Sequence, residues 1–140
     1  MLSMSDAPLD RALLRVGDRW TLLLVEALLD GPRRYGELSD AVAGIAPNIL
    51  AARLRRLEQD GLVTATPYSQ RPLRYRYALT ADGHELASAM ALLAAWAARV
   101  EGLPAPRYHA TCGTPIESRP WCPTCGRTVD DHESDDLDRL

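Results

Sequence analysis

The chain has 140 residues, 46% of them hydrophobic, which suffices for one compact domain with an appendage but not for two full domains. Its formal net charge is -3, and its three cysteines are too few for a disulfide framework. The first residues, MLSMSDAPLD, lack the basic and then apolar order of a signal peptide, and no run of about 18 apolar residues follows. Secreted and membrane-spanning classes are therefore disfavoured, and we expect a soluble cytoplasmic protein.

The charge is unevenly distributed along the chain. Residues 33–76 carry eight Arg against four acidic residues, whereas residues 130–140 carry six acidic residues and one Arg. The acidic end therefore sets the sign of the net charge, and the middle of the chain remains basic enough for a nucleic-acid partner. We interpret residues 130–140 as a disordered, solvating tail; the alternative is an autoinhibitory strip that competes with phosphates for the arginines.

Four helices are predicted before Gly61. LDRALLRVG gives a short helix, and DRWTLLLVEALLDGP gives a second helix, which Gly31 and Pro32 end. The second helix carries apolar residues at core spacing: Trp20, Leu23, Leu24, Ala27 and Leu28. YGELSDAV gives a brief third helix, and after a turn at AGIA a fourth begins at Pro47. The third and fourth helices form a predicted helix-turn-helix.

The fourth helix is amphipathic. Leu50, Leu54 and Leu57 fall on one side of it, so this side must pack inward. The outer surface is small, polar or cationic, with Asn48, Ala52, Arg55 and Gln59 opposite the leucines and Arg53 and Arg56 beside them. Such a surface fits either a solvated helix face or a face that binds an anionic partner.

After Gly61 the hydrophobic pattern changes from helical to alternating. The segments LVTATPY, SQRP and LRYRYAL predict a β-hairpin. Pro67 places the first strand at a sheet edge because proline cannot donate a ladder hydrogen bond, and Arg71 lies at the tip. Thr80 is the predicted N-cap of a long helix that runs to about Glu101.

The long helix has too wide an apolar surface for a single partner. One stripe comprises Leu86, Met90, Leu93, Ala97 and Val100, and a second comprises Ala89, Leu92 and Trp96. One stripe can face the domain core and the other a second subunit, which predicts a homodimer. The alternative is a monomer that covers both stripes.

Together these elements specify a mainly α (α+β) winged helix-turn-helix with a two-stranded wing and a long C-terminal dimerisation helix. Four segments, GDRWT, GPRRYGEL, LRRLEQDGLV and YALTADG, occur in this order. Through these segments, over roughly residues 9–101, the chain resembles the HxlR-type winged helix-turn-helix regulators, relatives of the MarR group. The resemblance implies a bacterial or archaeal homodimeric transcription factor that binds double-stranded DNA at an inverted repeat, with a small-molecule or redox effector.

In this fold the second helix of the motif enters the major groove. The predicted DNA-binding residues are Arg34, Asn48, Ala52, Arg53, Arg55, Arg56, Arg71 and Arg74. The Asn48 amide offers a donor and an acceptor to a base edge or a phosphate, and Ala52 permits close approach. The helix arginines are expected mainly to hold phosphates, with one of them able to read guanine. Arg34 and Arg71 occupy positions where the fold places contacts to the backbone and the minor groove, and the assignment of Arg74 and Arg76 is weaker.

Two positions depart from the family pattern. Ala46 stands at the N-cap of the fourth helix, where the family usually has Ser. Redox-sensing members carry a cysteine ahead of the first long helix, whereas the first cysteine here is Cys112. Thiol sensing by the family's route is therefore excluded.

The segment HATCGTPIESRPWCPTCGRTV predicts a small zinc ribbon. It offers His109 and Cys112, and then Cys122 and Cys125, as two ligand pairs of equal spacing, each followed by glycine. Four protein ligands would leave no open coordination position, so we expect a structural zinc ion. A redox-active Cys122–Cys125 pair is the alternative. His84 and His132 are interpreted as surface residues.

Three regions are therefore predicted: residues 1–103 for DNA binding and dimerisation, 104–129 for the zinc ribbon, and 130–140 for the acidic tail. No nucleophile or acid–base pair is apparent outside the closed ligand cluster, so an enzyme is disfavoured. The alternatives to a DNA-binding regulator are a winged helix that serves only protein contacts and a redox sensor that acts through Cys112, Cys122 or Cys125.

Overall fold

A computed structural model of the chain describes residues 7–133. In chain order the elements are α1 (Pro8–Val16), α2 (Arg19–Leu29), β1 (Arg33–Arg34), α3 (Tyr35–Ala41), α4 (Pro47–Gln59), β2 (Val63–Gln70), β3 (Leu73–Leu79), α5 (Ala81–Glu101), β4 (Trp121–Cys122), β5 (Arg127–Thr128) and a 3₁₀ turn at Asp131–Glu133. The helix-turn-helix is α3 and α4, and the wing is the β2–β3 hairpin. The predicted winged-helix architecture is confirmed. Within the described residues, no helix combines the length and apolarity needed to cross a bilayer.

The chain divides into two compact units. One is Ala12–Met90, and the other comprises Met1–Arg11 and Ala91–Leu140, of which residues 7–11 and 91–133 are described. The division falls inside α5, whereas the functional boundary predicted from the sequence follows the end of that helix. That boundary stays a prediction.

The core of the unit Ala12–Met90 is built from the apolar faces of α2, α3, α4 and the start of β2. Its buried residues are Leu24, Val25, Leu28, Leu38, Val42, Ile45, Leu50, Leu54, Leu57 and Val63. Trp20, Leu23, Ala27, Tyr77 and Leu79 pack against this core while remaining partly exposed. The leucine stripe that predicted the inward side of α4 is thus the side that is buried, and the opposite side is held outward.

A third strand joins the wing hairpin. The sheet order is β1-β3-β2, with Arg33 opposite Tyr77 and Arg34 opposite Arg76. The sequence analysis missed β1, because a strand of two residues is too short to show an alternating pattern. β2 lies at the edge of the sheet, as Pro67 predicted, and its pairing with β3 is irregular between Pro67 and Ser69.

The junction between α4, β2 and α5 explains the YALTADG segment. The Thr80 hydroxyl accepts a hydrogen bond from the Gly83 amide at 3.1 Å and donates one to the Gly61 carbonyl at 2.6 Å. The predicted N-cap of α5 is therefore present, and it also ties the helix to the end of α4. A Cβ on Gly83 would collide with the Leu62 carbonyl oxygen, so the close approach of α5 to this loop requires glycine.

The two predicted stripes of α5 are only partly observed. Leu86 and Met90 of the first stripe pack against the core. Leu93 and Val100 were assigned to the same stripe, but they are 55% and 63% exposed. The core contacts of this stripe therefore lie in the first half of the helix, and the assignment of one stripe to a second subunit stays a prediction.

The C-terminal segment carries two short hairpins. The first contains the Tyr108–Pro115 bridge and the second is β4 paired with β5. Arg127 forms an ion pair with Glu133 beyond the second hairpin. The predicted tail begins at residue 130, and Asp131–Glu133 form a 3₁₀ turn; the disorder of the tail stays a prediction. The remainder of the predicted tail, residues 134–140, lies outside the described residues.

Candidate nucleic-acid interface

The outer face of α4 is the centre of the candidate interface. Leu50, Leu54 and Leu57 are at most 2% exposed, which fixes the rotation of the helix about its axis. Asn48 and Arg55 are exposed on the other side, and Ala52 is half-buried between them. A helix held in this way presents its polar side chains on a rigid support, which groove recognition requires.

Arg53 has an intramolecular partner that its predicted role did not include. Its Nε donates to Oδ1 of Asp18 at 2.9 Å, and both side chains are about one-third exposed. Asp18 is also the N-cap of α2, where its carboxylate accepts from the amides of Trp20 and Thr21 and from the Thr21 hydroxyl. The GDRWT segment thus caps α2 and braces it against α4. The N-cap pattern was the signal that could have revealed the role of Asp18.

The charge state of Asp18 follows from these contacts. Partial burial by itself would raise its pKa, but hydrogen bonds from Thr21 and Arg53, together with the positive charge of Arg53, lower the pKa below its ordinary value of 3.8. Asp18 is therefore ionised at neutral pH and remains a partner for Arg53. The predicted phosphate contact of Arg53 would compete with this pair.

The two other arginines of α4 differ in their surroundings. Arg56 pairs with Asp60 one turn further along, with Nε and Oδ2 2.9 Å apart. Arg55 is exposed, and within residues 7–133 it takes part in no ion pair. Arg55 is therefore the α4 cation whose charge is most available to an external phosphate.

The wing holds two arginines against one aromatic ring. The guanidinium carbons of Arg34 and Arg76 lie 4.4 Å and 5.9 Å from the centre of the Tyr68 ring. Tyr68 lies at the irregularity in β2. Arg34 also forms an ion pair with Glu37, with Nε and Oε1 3.8 Å apart. These contacts hold two cations midway along the wing, where β1 pairs with β3. The sequence analysis missed the role of Tyr68, because it depends on β1 joining the sheet.

Other arginines of the region have distinct positions. Arg71 is exposed at the wing tip and Arg74 is exposed on β3, and no ion pair within the described chain includes either residue. Arg33 instead serves the fold, since its Nε donates to the Ala27 carbonyl at the C-terminal end of α2 at 2.6 Å. The predicted DNA contacts of Arg34, Asn48, Ala52, Arg53, Arg55, Arg56, Arg71 and Arg74 stay predictions.

The N-terminus of α4 is uncapped. Ala46 occupies the N-cap position and makes no side-chain hydrogen bond to the first turn. The Tyr35 hydroxyl donates to the Pro47 carbonyl at 2.8 Å, which attaches this end of α4 to α3 without satisfying its amides. The amides of Asn48 and Ile49 therefore remain available to an anion.

The predicted metal ligands are brought together as two pairs. His109 Nδ1 lies 3.2 Å from Cys112 Sγ, and the Cys125 amide donates to Cys122 Sγ at 3.4 Å. Hydrogen bonds with Thr114 and His109 lower the pKa of Cys112 to about 7, and backbone and side-chain hydrogen bonds with Cys125 lower that of Cys122. In the part of the chain that the structure describes, no three His, Cys, Asp or Glu side chains form a group that could hold a metal.

Comparison with known proteins identifies the family. The family described as HxlR-like helix-turn-helix matches residues 15–102. An uncharacterised HTH-type transcriptional regulator of Mycobacterium tuberculosis is 40% identical over 123 residues, which are 85% of this chain and 77% of that protein.

Solved structures agree with this assignment. A putative transcription factor from Pseudomonas aeruginosa is 37% identical, with a TM-score of 0.69 over 91% of this chain and 89% of that one. The reduced form of the regulator YodB from Bacillus subtilis is 31% identical, with a TM-score of 0.58 over 71% of this chain and 94% of that one. The chain therefore belongs to the HxlR family of helix-turn-helix transcriptional regulators.

Proposed function

We propose that the protein binds an inverted-repeat operator as a homodimer, with α4 of each subunit in the major groove and each wing against the neighbouring backbone. It acts as a binding protein and not as an enzyme. Its place is the bacterial cytoplasm, where genomic DNA is accessible. The single observation that carries this proposal is an α4 helix that buries three leucines and presents Asn48 and Arg55 outward.

Within this arrangement the cations divide into two groups. Arg55, Arg71 and Arg74 are exposed and supply phosphate contacts from α4, the wing tip and β3. Arg53, held by Asp18, positions α4 relative to α2 and contacts DNA only if that ion pair opens. Arg34 and Arg76, held against the Tyr68 ring, keep positive charge midway along the wing.

The dimer surface is assigned to the second half of α5. Leu92, Leu93, Trp96 and Val100 are between 51% and 63% exposed there. Four large apolar side chains within less than three turns of helix are a strong indication of a protein interface. Two copies of α4 related by a two-fold axis would then read two inverted half-sites about one helical turn apart.

The phosphate contacts are tested by salt dependence. An operator is first selected from random duplex DNA with the full chain, and affinity is then measured by fluorescence anisotropy at several salt concentrations. Replacing Arg55, Arg71 and Arg74 by Ala should reduce the log–log slope by about 0.9 for each lost contact and weaken binding to all sequences. Arg107→Ala removes the same charge from the first C-terminal hairpin and should leave the slope unchanged. A triple variant with the wild-type slope would refute the assignment.

The dimer is tested at Leu93, which is 55% exposed. Leu93→Glu should give a monomer by light scattering, and its affinity for the two-half-site operator should fall roughly 100-fold or more, because the second half-site is no longer bound intramolecularly. Glu85→Ala, on an exposed position of the first half of α5, serves as the control. A dimeric Leu93→Glu variant with normal affinity would move the interface elsewhere.

A further inference from the structure

The two C-terminal hairpins repeat one structure. In the first hairpin the paired positions are Arg107 with Ile116, Tyr108 with Pro115 and His109 with Thr114. In the second they are Pro120 with Val129, Trp121 with Thr128 and Cys122 with Arg127. Each hairpin thus has an aromatic residue followed by a potential metal ligand at its last paired position. The sequence pattern alone gave equal spacing; the structure adds an equal pairing register.

The turns that close the hairpins are also equivalent. The Gly113 amide donates to the His109 carbonyl at 2.8 Å, and the Gly126 amide donates to the Cys122 carbonyl at 2.9 Å. Both glycines have left-handed φ values, 70° and 65°. The residue before each glycine is a cysteine. Each turn therefore offers one ligand from its first residue and a cysteine sulfur from its fourth, on a backbone that needs glycine to turn beneath them.

We propose that His109, Cys112, Cys122 and Cys125 together bind one zinc ion, which joins the two turns. Imidazole nitrogen and thiolate sulfur are the ligands that structural zinc sites use, at about 2.1 and 2.3 Å from the metal. Two such ligands of a tetrahedral ion lie about 3.5 Å apart, and the 3.2 Å between His109 Nδ1 and Cys112 Sγ is close to this separation. Four protein ligands complete the tetrahedron, so the site is structural.

The arrangement of the hairpins favours a shared ion over two separate ones. Residues 117–119 join the open ends of the hairpins, and Arg107, Ile116, Pro120 and Val129 from these ends line one cavity of about 620 Å³. The open ends are therefore adjacent, and two hairpins of equal length that lie side by side from this point would bring their turns together. Within residues 7–133 the ligands are gathered as pairs, so the proposed ion would draw two preformed halves together.

The burial of this segment gives an independent reason for a metal. No described side chain of residues 102–133 is buried; Ala105, Cys122 and Val129 are half-buried and the others are exposed. A segment of this size without a core is usually stabilised by disulfides or a metal ion. Three cysteines and one histidine at matching positions fit one metal ion better than disulfides, which would leave one thiol unpaired.

Metal analysis of the full purified chain tests the proposal. We expect about one zinc ion per chain, retained through gel filtration. Cys112→Ser, Cys122→Ser and Cys125→Ser should each weaken zinc binding, in competition with a chromophoric chelator, by more than the roughly 10- to 100-fold that loss of an outer-shell partner costs. His132→Ala, which removes a surface imidazole beyond the second hairpin, is the matched control and should retain the metal.

His109 is tested by exchange of one ligand type for another. His109→Ala should weaken zinc binding, and His109→Cys should restore it. With Co²⁺ in place of zinc, His109→Cys should raise the thiolate charge-transfer absorption by about one-third, because a fourth sulfur joins three. Added imidazole should leave the Co²⁺ spectrum of the wild-type chain unchanged, since a structural site has no open position.

Three outcomes would overturn the proposal. The first is a chain that holds no zinc after purification and takes up none from solution. The second is a Cys122–Cys125 disulfide in protein isolated without oxidant, which would indicate the redox pair instead. The third is equal zinc affinity in His109→Ala and the wild-type chain, which would remove the fourth ligand. None of these results depends on whether the operator experiments succeed.

Discussion

In the unit Ala12–Met90, the β2–β3 hairpin rests on a buried core, to which it contributes Val63 at 2% exposure and the partly buried Tyr77 and Leu79. The hairpins of residues 107–129 are also antiparallel but much shorter, and none of their described side chains is buried. The comparison shows that strand pairing alone does not explain how a hairpin is held in place. The wing is stabilised by burial of apolar side chains. The C-terminal hairpins have no such core and instead carry pairs of potential metal ligands.

The largest expected effect on the free energy of unfolding comes from truncating one apolar side chain in each region. Leu54 is 2% exposed and Ile116 is 42% exposed. Leu54→Ala should lower the free energy of unfolding by about 2–5 kcal/mol, because it leaves a cavity in a packed core. Ile116→Ala should change it by no more than about 0.5 kcal/mol. Urea denaturation followed by helical circular dichroism measures both, and equal losses would contradict the contrast between the regions.

A smaller effect is expected where the backbone itself is packed closely. Gly83→Ala places a Cβ against the Leu62 carbonyl and should cost about 1–3 kcal/mol. Gly36→Ala is the matched control, since a Cβ there meets nothing within 4 Å. Because Gly36 lies in α3, its replacement should stabilise the protein by about 0.4–1 kcal/mol. A melting temperature that falls in Gly83→Ala and rises in Gly36→Ala would support this prediction. An unchanged melting temperature in Gly83→Ala would show that α5 can move away from the loop.

Asp18→Ala removes both the α2 cap and the ion pair with Arg53, and loss of the cap should cost about 1 kcal/mol. Because the folded-state pKa of Asp18 lies below 3.8, its ionic contribution is present above that pH and is lost as the pH falls through the folded-state pKa. Asp18→Asn keeps a capping acceptor but cannot titrate, so its denaturation midpoints should show a weaker acid dependence than those of the wild type. If the denaturation midpoints of Asp18→Asn and the wild type fell equally as the pH is lowered, the ionised Asp18 carboxylate would not contribute to stability.

The smallest effect is expected at the start of α4. A DNA phosphate at the uncapped N-terminus should stabilise the first turn by about 0.3–1 kcal/mol and slow amide exchange at Asn48 and Ile49. Amides of the C-terminal hairpins serve as an internal control, since we place them outside the interface. Equal exchange of Asn48 and Ile49 with and without the operator would argue against a phosphate at this position.

Local patterns predicted most of the fold. The leucine spacing of α4, the alternation of β3 and the Thr80 cap each depend on residues within one or two turns, so they can be read from the sequence directly. The repeated ligand spacing around Cys112 and Cys125 is equally local. Strand β1 was missed, since its two residues acquire strand geometry only by pairing with Tyr77 and Arg76.

The candidate interface has features that sequence patterns did not predict. Arg53, Arg55 and Arg56 were all predicted to contact DNA, yet Arg53 is paired with Asp18 and Arg56 with Asp60, whereas Arg55 takes part in no ion pair within residues 7–133. The sequence shows where positive charge is concentrated but not which cations already have partners. This matters for mutagenesis, because replacing Arg53 alters the attachment of α4 as well as its charge.

The sequence by itself determined the order of the five helices and the two wing strands, the inward side of α4, the family and the positions of four potential metal ligands, because each depends on spacing along a few turns or strands. The tertiary structure decided which arginines remain available, how Tyr68 holds Arg34 and Arg76, and that the two C-terminal hairpins share one register. The physical reason is distance along the chain. Asp18 and Arg53 are 35 residues apart, and their contact exists only because a buried core brings α2 and α4 together.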